Sequence, residues 1–375
     1  MSQPPLSLLH LFSAIGPADA DGWSARASGL MAAFGDRARH TIVSAAGDAA
    51  DLHAALPPGI RHEIMQNPPP LAGRASVARY EAIARSMRGF DLVLSYGGGA
   101  IDGAMARRAF RRGAPPVVHH ENPSAAQAGG ARLYHRLALG AAEALVVPTS
   151  AAARAAQTWW KQPAARVQVI GAGVDLSAYA HGPDAATVAG FRRNPREVVI
   201  GVVADLSGAA DVAVLVRAAA GLSGRFRLVV VGDGPGRGDV ERAALAMGID
   251  DRLVLPGVIA PASRFLGGFD LLALPPRGGV APVPDAMAAG LPIVALRDDA
   301  VTALVAEENR PHLSEHAGEV QLRDAMQALV GDAALRATIG AANRARAARD
   351  HDGAAMIARS AALYAVAAGR PGGLG

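Results

Sequence analysis

At 375 residues the chain is too long for one ordinary α/β core and suits two domains, each able to bury a sizeable apolar interior. Cysteine is absent, which excludes disulfides, thiolate nucleophiles and Cys-ligated zinc, and a hydrophobic content of 51% excludes general disorder. The net charge of +4 rests almost entirely on arginine, since Lys161 is the single lysine, and it is uneven: 17 basic against 12 acidic residues up to Gly182, then 20 against 21.

The apolar run from Leu6 to Ile15 is followed by small residues at Ala18 and Ala20, yet no basic segment precedes it, so it reads as an opening strand rather than a cleaved leader. Strands are expected over residues 8–13, 41–45, 91–95, 116–120 and 144–148. In the second half apolar runs alternate more cleanly with helical stretches, and strands are expected over residues 198–204, 227–232, 253–257, 270–274 and 292–296. That alternation predicts α/β domains with parallel sheets wrapped by helices. The longest apolar stretch, residues 137–156, is broken by Glu143 and Arg154, which argues against a bilayer-spanning helix. Arg107, Arg108, Arg111 and Arg112 are spaced to cluster on one side of a helix, as a solvated face or as a contact with anionic lipid or an acidic acceptor. Nucleic acid is disfavoured as a partner, because no aromatic residues interleave with these arginines.

Gly171-Ala172-Gly173-Val174-Asp175 and residues 181–195 have the Gly, Pro and polar content of a linker, which places a boundary near Gly182. The expected division is a first domain over residues 1–182 and a second over residues 183–351. An Ala-rich helix is expected over residues 352–368, ending in an unstructured tail from Gly369.

At Val229-Val230-Val231-Gly232-Asp233-Gly234-Pro235 a strand runs into a Gly-rich turn before a helix, a geometry suited to close approach of a ligand at a strand's C-terminal end. It is preceded by Val169-Ile170-Gly171-Ala172-Gly173-Val174-Asp175. Leu255-Pro256-Gly257-Val258, Phe269-Asp270-Leu271-Leu272-Ala273-Leu274 and Asp285-Ala286-Met287-Ala288-Ala289-Gly290-Leu291-Pro292 follow. In this order and spacing the segments resemble the family 4 glycosyltransferases, retaining enzymes of the GT-B fold. In the first half Phe90-Asp91-Leu92-Val93-Leu94-Ser95-Tyr96 and His119-His120-Glu121 fit the same pattern. The resemblance implies two doubly wound Rossmann-like domains facing a central cleft, with residues 352–375 crossing back onto the first. It further implies a nucleotide diphosphate sugar bound mainly by the second domain, a glycan or glycolipid acceptor bound by the first, and no metal or other cofactor. A cytoplasmic place follows, with peripheral contact to the inner face of an anionic membrane as one reading of the arginine cluster.

Several positions depart from the family pattern. Where the family carries an Arg and, five positions on, a Lys that reach the donor phosphates, this sequence has Asp205 and Ala210. A carboxylate there repels a diphosphate, and each lost charge-assisted contact is worth about 1.5–3 kcal/mol. The family's two donor-flanking glutamates map onto Arg277 and Asp285. Asp285 can still accept a ribose hydrogen bond, whereas Arg277 inverts the charge of its position and reads either as a phosphate ligand or as a surface residue. Pro282 and Pro284 suit a helix start but each deletes an N–H from the turn expected to cradle phosphate. Residues 16–22 lack the Gly-Gly pair and following Glu common in the family. Gly232, Asp233, Gly234, Pro235 and Val258 complete the expected donor site.

On the acceptor side His119, His120 and Glu121 follow a strand, where α/β sheets place ligands. A histidine pair beside a carboxylate can orient a sugar hydroxyl or shuttle a proton, and it can equally cap the strand. Trp159 and Trp160 read as packing near a helix end. Two functions fit: a nucleotide-sugar glycosyltransferase, or a catalytically impaired homologue that binds a partner in surface-glycan assembly.

Overall fold

A computed structural model describes residues 4–15, 22–45, 56, 59–123, 129–180, 188 and 191–375. The expected loop at residues 16–21 and most of the 181–195 linker lie outside the described residues. The chain divides into one unit of residues 1–173 and 354–375 and a second of residues 174–353.

The first unit is a seven-stranded sheet in the order β3-β2-β1-β4-β5-β6-β7, with every pairing parallel. Its strands are β1 (Leu6–Phe12), β2 (Ala38–Ser44), β3 (His62–Ile64), β4 (Leu92–Tyr96), β5 (Val117–His120), β6 (Ala144–Val147) and β7 (Val167–Val169). Helices α1 (Trp23–Phe34), α2 (Val77–Met87), α3 (Asp102–Ala109), α4 (Gly129–Leu139) and α5 (Ser150–Trp159) lie between them in the chain. The central strands are mainly apolar, as burial on both faces requires, and β4 and β6 are buried along their whole length. Ser76 and Thr149 start α2 and α5 by accepting hydrogen bonds from the Arg79 and Ala152 amides. The edge strands β3 and β7 escaped the sequence reading because each is three residues long and too short to show alternation. Helix α3 ends at Ala109, so the expected one-sided cluster is divided: Arg107 and Arg108 close the helix, and Arg111 and Arg112 follow it.

The second unit is a five-stranded parallel sheet in the order β10-β9-β8-β11-β12, built from β8 (Val198–Val203), β9 (Phe226–Val231), β10 (Leu253–Gly257), β11 (Leu271–Ala273) and β12 (Ile293–Val294). Its helices are α6 (Ala209–Ala220), α7 (Arg237–Ala246), α8 (Val283–Ala288), α9 (Asp299–Leu304), α10 (Glu319–Gly331) and α11 (Ala333–Asp350). In both sheets the chain reverses its direction of travel beside the first strand, between β1 and β4 and between β8 and β11. Ligands of doubly wound sheets bind at such switch points, beyond the strands' C-terminal ends.

The division falls at Gly173 rather than near Gly182. Val174 donates to the His351 carbonyl at 2.8 Å and accepts from the Gly353 amide at 2.9 Å, while Leu176 and Tyr179 pack on the second unit's core. Helix α12 (Gly353–Ala367) lies within the first unit from Ala354 onward. Its buried Ala361 and Tyr364 join the core formed by Leu6, Phe34, Leu94 and Val118. The expected unstructured tail is instead packed: Leu374 is 1% exposed and Arg370 donates to the Pro4 carbonyl at 2.7 Å. A single apolar residue near the terminus, flanked by glycines that permit tight turns, supplies that anchor.

Candidate functional site

In the second unit every expected donor residue lies on a loop or helix start beyond the C-terminal end of a strand. Asp205 and Ala210 follow β8, Gly232 to Pro235 follow β9, Val258 follows β10, and Arg277 and Asp285 follow β11. The β8 and β9 loops are knit together: Leu206 N–H donates to Asp233 O at 3.1 Å and Gly236 N–H to Leu206 O at 2.9 Å. Gly232 has φ of 140°, and a Cβ there would fall 1.8 Å from the Ala204 carbonyl oxygen, so only glycine fits this approach.

The charges differ from those of a ready anion site. Asp205 is exposed and accepts from the Ser207 hydroxyl at 2.7 Å and amide at 2.8 Å, bonds that hold its carboxyl below the ordinary value. Its charge is therefore kept, next to an exposed Ala210 that offers none. Arg277 is the cation at the switch point. Its Nε donates to Asp211 of α6 at 2.9 Å, which ties the loop after β11 to the helix after β8. At α8 the Val283 amide is already bonded to Val280 O at 3.0 Å and Pro284 has none, leaving only the Asp285 amide among the first three helical residues. Asp285 accepts a short hydrogen bond from the Tyr179 hydroxyl, and burial, against that bond, raises its carboxyl above the ordinary value. Tyr179 and Asp211 were not singled out from sequence, since each gains meaning only from the side chain it meets.

In the first unit β-strand alternation separates the histidine pair. His120 turns toward α12: its Nδ1–H donates to Ser95 O at 3.1 Å, so Nε2 accepts from the Tyr364 hydroxyl at 2.7 Å. His119 and Glu121 are brought together on the other side. His119 Nε2–H donates to Glu121 at 2.8 Å, and its Nδ1 meets the Ser95 hydroxyl at 2.9 Å. His135 of α4, missed in the sequence, donates from Nε2 to both Glu121 oxygens at 3.0 Å and from Nδ1 to Ala131 O at 2.9 Å. Two acceptors that cannot donate make His135 an imidazolium when Glu121 is ionised.

The electrostatics follow from that geometry. Burial would raise the Glu121 carboxyl, but hydrogen bonds from His119 and His135 outweigh it and hold the group at about 2. Burial would likewise lower His135, and its bonds to Glu121 raise it instead. Trp160 stacks on the His135 ring at 4.7 Å, which fixes the ring plane.

His135 lines a cavity of about 290 Å3 with Arg79, Asp102, Tyr134, Gly98 and Gly99. Asp102 pairs with Arg79 and accepts from the Tyr134 hydroxyl. Glu121 itself is not part of that wall. A Cβ on Gly98 would come within 3.1 Å of Glu121 Oε1, so the Gly98 backbone covers the carboxylate. Within this cluster His135 faces the cavity and Glu121 positions it.

Three other buried groups set an acid limit. His10 meets Tyr96 at 3.2 Å and His40 at 3.0 Å, and burial keeps His10, His40 and His120 below the ordinary imidazole value, His40 at about 4. The unfolded chain binds these protons first, so stability is lost as pH falls from about 6.5 toward 4. Urea unfolding followed at pH 7.5 and pH 5 is expected to show a lower midpoint at pH 5; equal midpoints would contradict neutral burial of the three rings.

Two all-parallel, doubly wound sheets with their loops of chemical interest at strand C-terminal ends define a GT-B protein. The matches to known proteins agree: residues 27–178 match the model described as Glycosyltransferase Family 4, and residues 197–332 that described as Glycosyl transferases group 1. The chain belongs to glycosyltransferase family 4. Alr3699/HepE of Anabaena, solved in complex with UDP, is similar at 19% identity and a TM-score of 0.72, over 96% of this chain and 100% of that one. A glycosyltransferase from Rickettsia africae is similar at 12% identity and a TM-score of 0.74, over 97% and 99%. Sucrose-phosphate synthase of Thermosynechococcus elongatus follows at 16% and 0.69, over 96% and 98%. At these identities the likeness is one of fold. No curated protein matches the chain in sequence.

Proposed function

We propose that the chain transfers a sugar, with retention, from a nucleotide diphosphate donor held by the second unit to a glycan or glycolipid acceptor held by the first. The observation that carries this reading is the switch-point loop system of the second unit, where Gly232 admits close backbone approach and Arg277 supplies a cation. The UDP and UDP-glucose complexes of Alr3699/HepE support a nucleotide sugar as donor. In this reading no metal takes part: Arg277, freed from Asp211, and backbone amides stabilise the leaving diphosphate. His135, positioned by Glu121, orients an acceptor hydroxyl in the first unit's cavity. Among the described residues no helix is long and apolar enough to cross a membrane, and the reading places the protein in the cytoplasm with peripheral contact to an anionic inner membrane surface.

A second reading, a catalytically impaired homologue that binds a partner in surface-glycan assembly, is favoured by one set of observations. Asp205 keeps its negative charge, Ala210 offers none, and of the first three residues of α8 only Asp285 has an amide left to offer. Both readings meet in one experiment: calorimetry with UDP, GDP, ADP and their sugars. Weak binding of a nucleoside diphosphate is expected, tightened about tenfold or more by Asp205→Arg with Ala210→Lys. Binding to neither protein would sink the transferase reading. Tight binding to the unmodified protein, unchanged by the two substitutions, would remove the electrostatic defect and the second reading with it.

A further inference from the structure

A basic cavity lies at the opposite, N-terminal end of strands in the first sheet. β5, β6 and β7 begin at Val117, Ala144 and Val167. Beside these starts a cavity of about 380 Å3 is lined by Arg107, Arg108, Arg111, Glu143 and Arg166 together with the turn of residues 140–142. His119 and Glu121 stand at the far end of β5, a four-residue strand, about 13 Å away by strand rise. The cavity shares no residue with either sugar site described above.

Two of the four arginines are explained by the fold. Arg107 donates to Ala141 O and pairs with Glu143 at 2.7 Å, and Arg166 donates to Leu139 O at 3.4 Å and Gln162 Oε1 at 3.3 Å. Both satisfy carbonyls at or just beyond the end of α4. Arg108 and Arg111 have no hydrogen bond or ion pair among the described residues, and both are exposed. Four guanidinium groups against the single Glu143 carboxylate leave the wall with a net charge of +3. Such a wall repels itself, and the ligand that relieves it is a multiply charged anion with oxygens spaced for forked N–H donors, which describes phosphate. The volume accommodates one phosphate with a small attached group.

We propose that this cavity binds a phosphomonoester or diphosphate group through Arg108 and Arg111, with Arg107 and Arg166 adding to its field. The group can belong to a lipid headgroup or to a soluble phosphate compound, and the inference stands apart from the transferase reading because none of its residues serves the sugar sites.

Two probes on the full chain at low salt decide the matter: inorganic pyrophosphate by calorimetry, and co-sedimentation with phosphatidylcholine vesicles containing phosphatidic acid or phosphatidylglycerol. Arg108→Ala with Arg111→Ala, two exposed positions, is the test variant, and Arg277→Ala controls for the second unit. Pyrophosphate binding weakened about tenfold or more by the double substitution and kept in Arg277→Ala supports a soluble ligand. Recovery on phosphatidic acid above phosphatidylglycerol, lost in the double variant, supports a headgroup. Binding of neither probe overturns the proposal, as does any binding that the double variant leaves unchanged.

Discussion

Deleting residues 354–375 is expected to unfold the first unit. Helix α12 covers the face of the sheet that carries Leu6, Leu94 and Val118, and Tyr364 in its last turn is fully buried. The Tyr364 ring meets Phe34 edge-on at 6.2 Å and His120 at 5.7 Å, and its hydroxyl fills the one acceptor that His120 presents. Truncating such an aromatic to Ala costs about 3–5 kcal/mol, a large part of the 5–15 kcal/mol that separates folded from unfolded domains. Deletion removes Tyr364, Ala361 and Leu374 together and exposes an apolar sheet face. Hydrogen exchange is the measurement: protection in β1, β4 and β5 should collapse in the truncated chain. Retained protection there would show that the sheet holds without its C-terminal cover. Tyr364→Phe separates packing from bonding, with an expected loss of about 1–3 kcal/mol because the buried His120 Nε2 is left without a partner.

Glu121→Gln is expected to disable the first unit's cavity chemistry while leaving nucleotide binding unchanged. The carboxylate accepts from His119 and from His135, and an amide in its place turns one acceptor into a donor facing an N–H. Removing one member of a buried charged pair costs about 3–5 kcal/mol. The proton on His135 is the readout that a merely structural role would not move. With Glu121 present, the stability drawn from the imidazolium is complete below pH 6.5 and is lost as pH rises through the raised value of His135. Without it, burial dominates and the ring should titrate below the ordinary range. NMR titration of His135 tests this directly, and transfer to an acceptor should fall about tenfold or more. An unchanged His135 titration would show that Glu121 does not govern that proton.

The second unit shows how far local chemistry can be read without coordinates. The run Val229 to Val231 is continuous apolar strand, and Gly232 and Gly234 after it are residues without side-chain bulk; both properties are local, so strand, turn and helix were legible. The same holds for the prolines of α8, whose missing amides are a covalent fact. The family pattern also located Asp205, Ala210, Arg277 and Asp285 at strand C-terminal ends, since order along the chain fixes order around a doubly wound sheet.

What the sequence by itself determined about this protein is therefore its class: two parallel α/β units and a family 4 pattern, with Asp205 and Ala210 standing where that pattern carries its two cations. Tertiary structure alone decided which charges meet. Arg277 finds Asp211 across 66 positions and Asp285 finds Tyr179 across 106, pairings that no local spacing encodes. It also decided that adjacent His119 and His120 part company, because successive strand residues face opposite sides and different helices wait on each. His135 became visible only when α4 packed beside β5, and the terminal tail became structure only when Leu374 reached the core. Backbone pattern is a property of neighbours in sequence, whereas ion pairs and buried hydrogen bonds belong to neighbours in space.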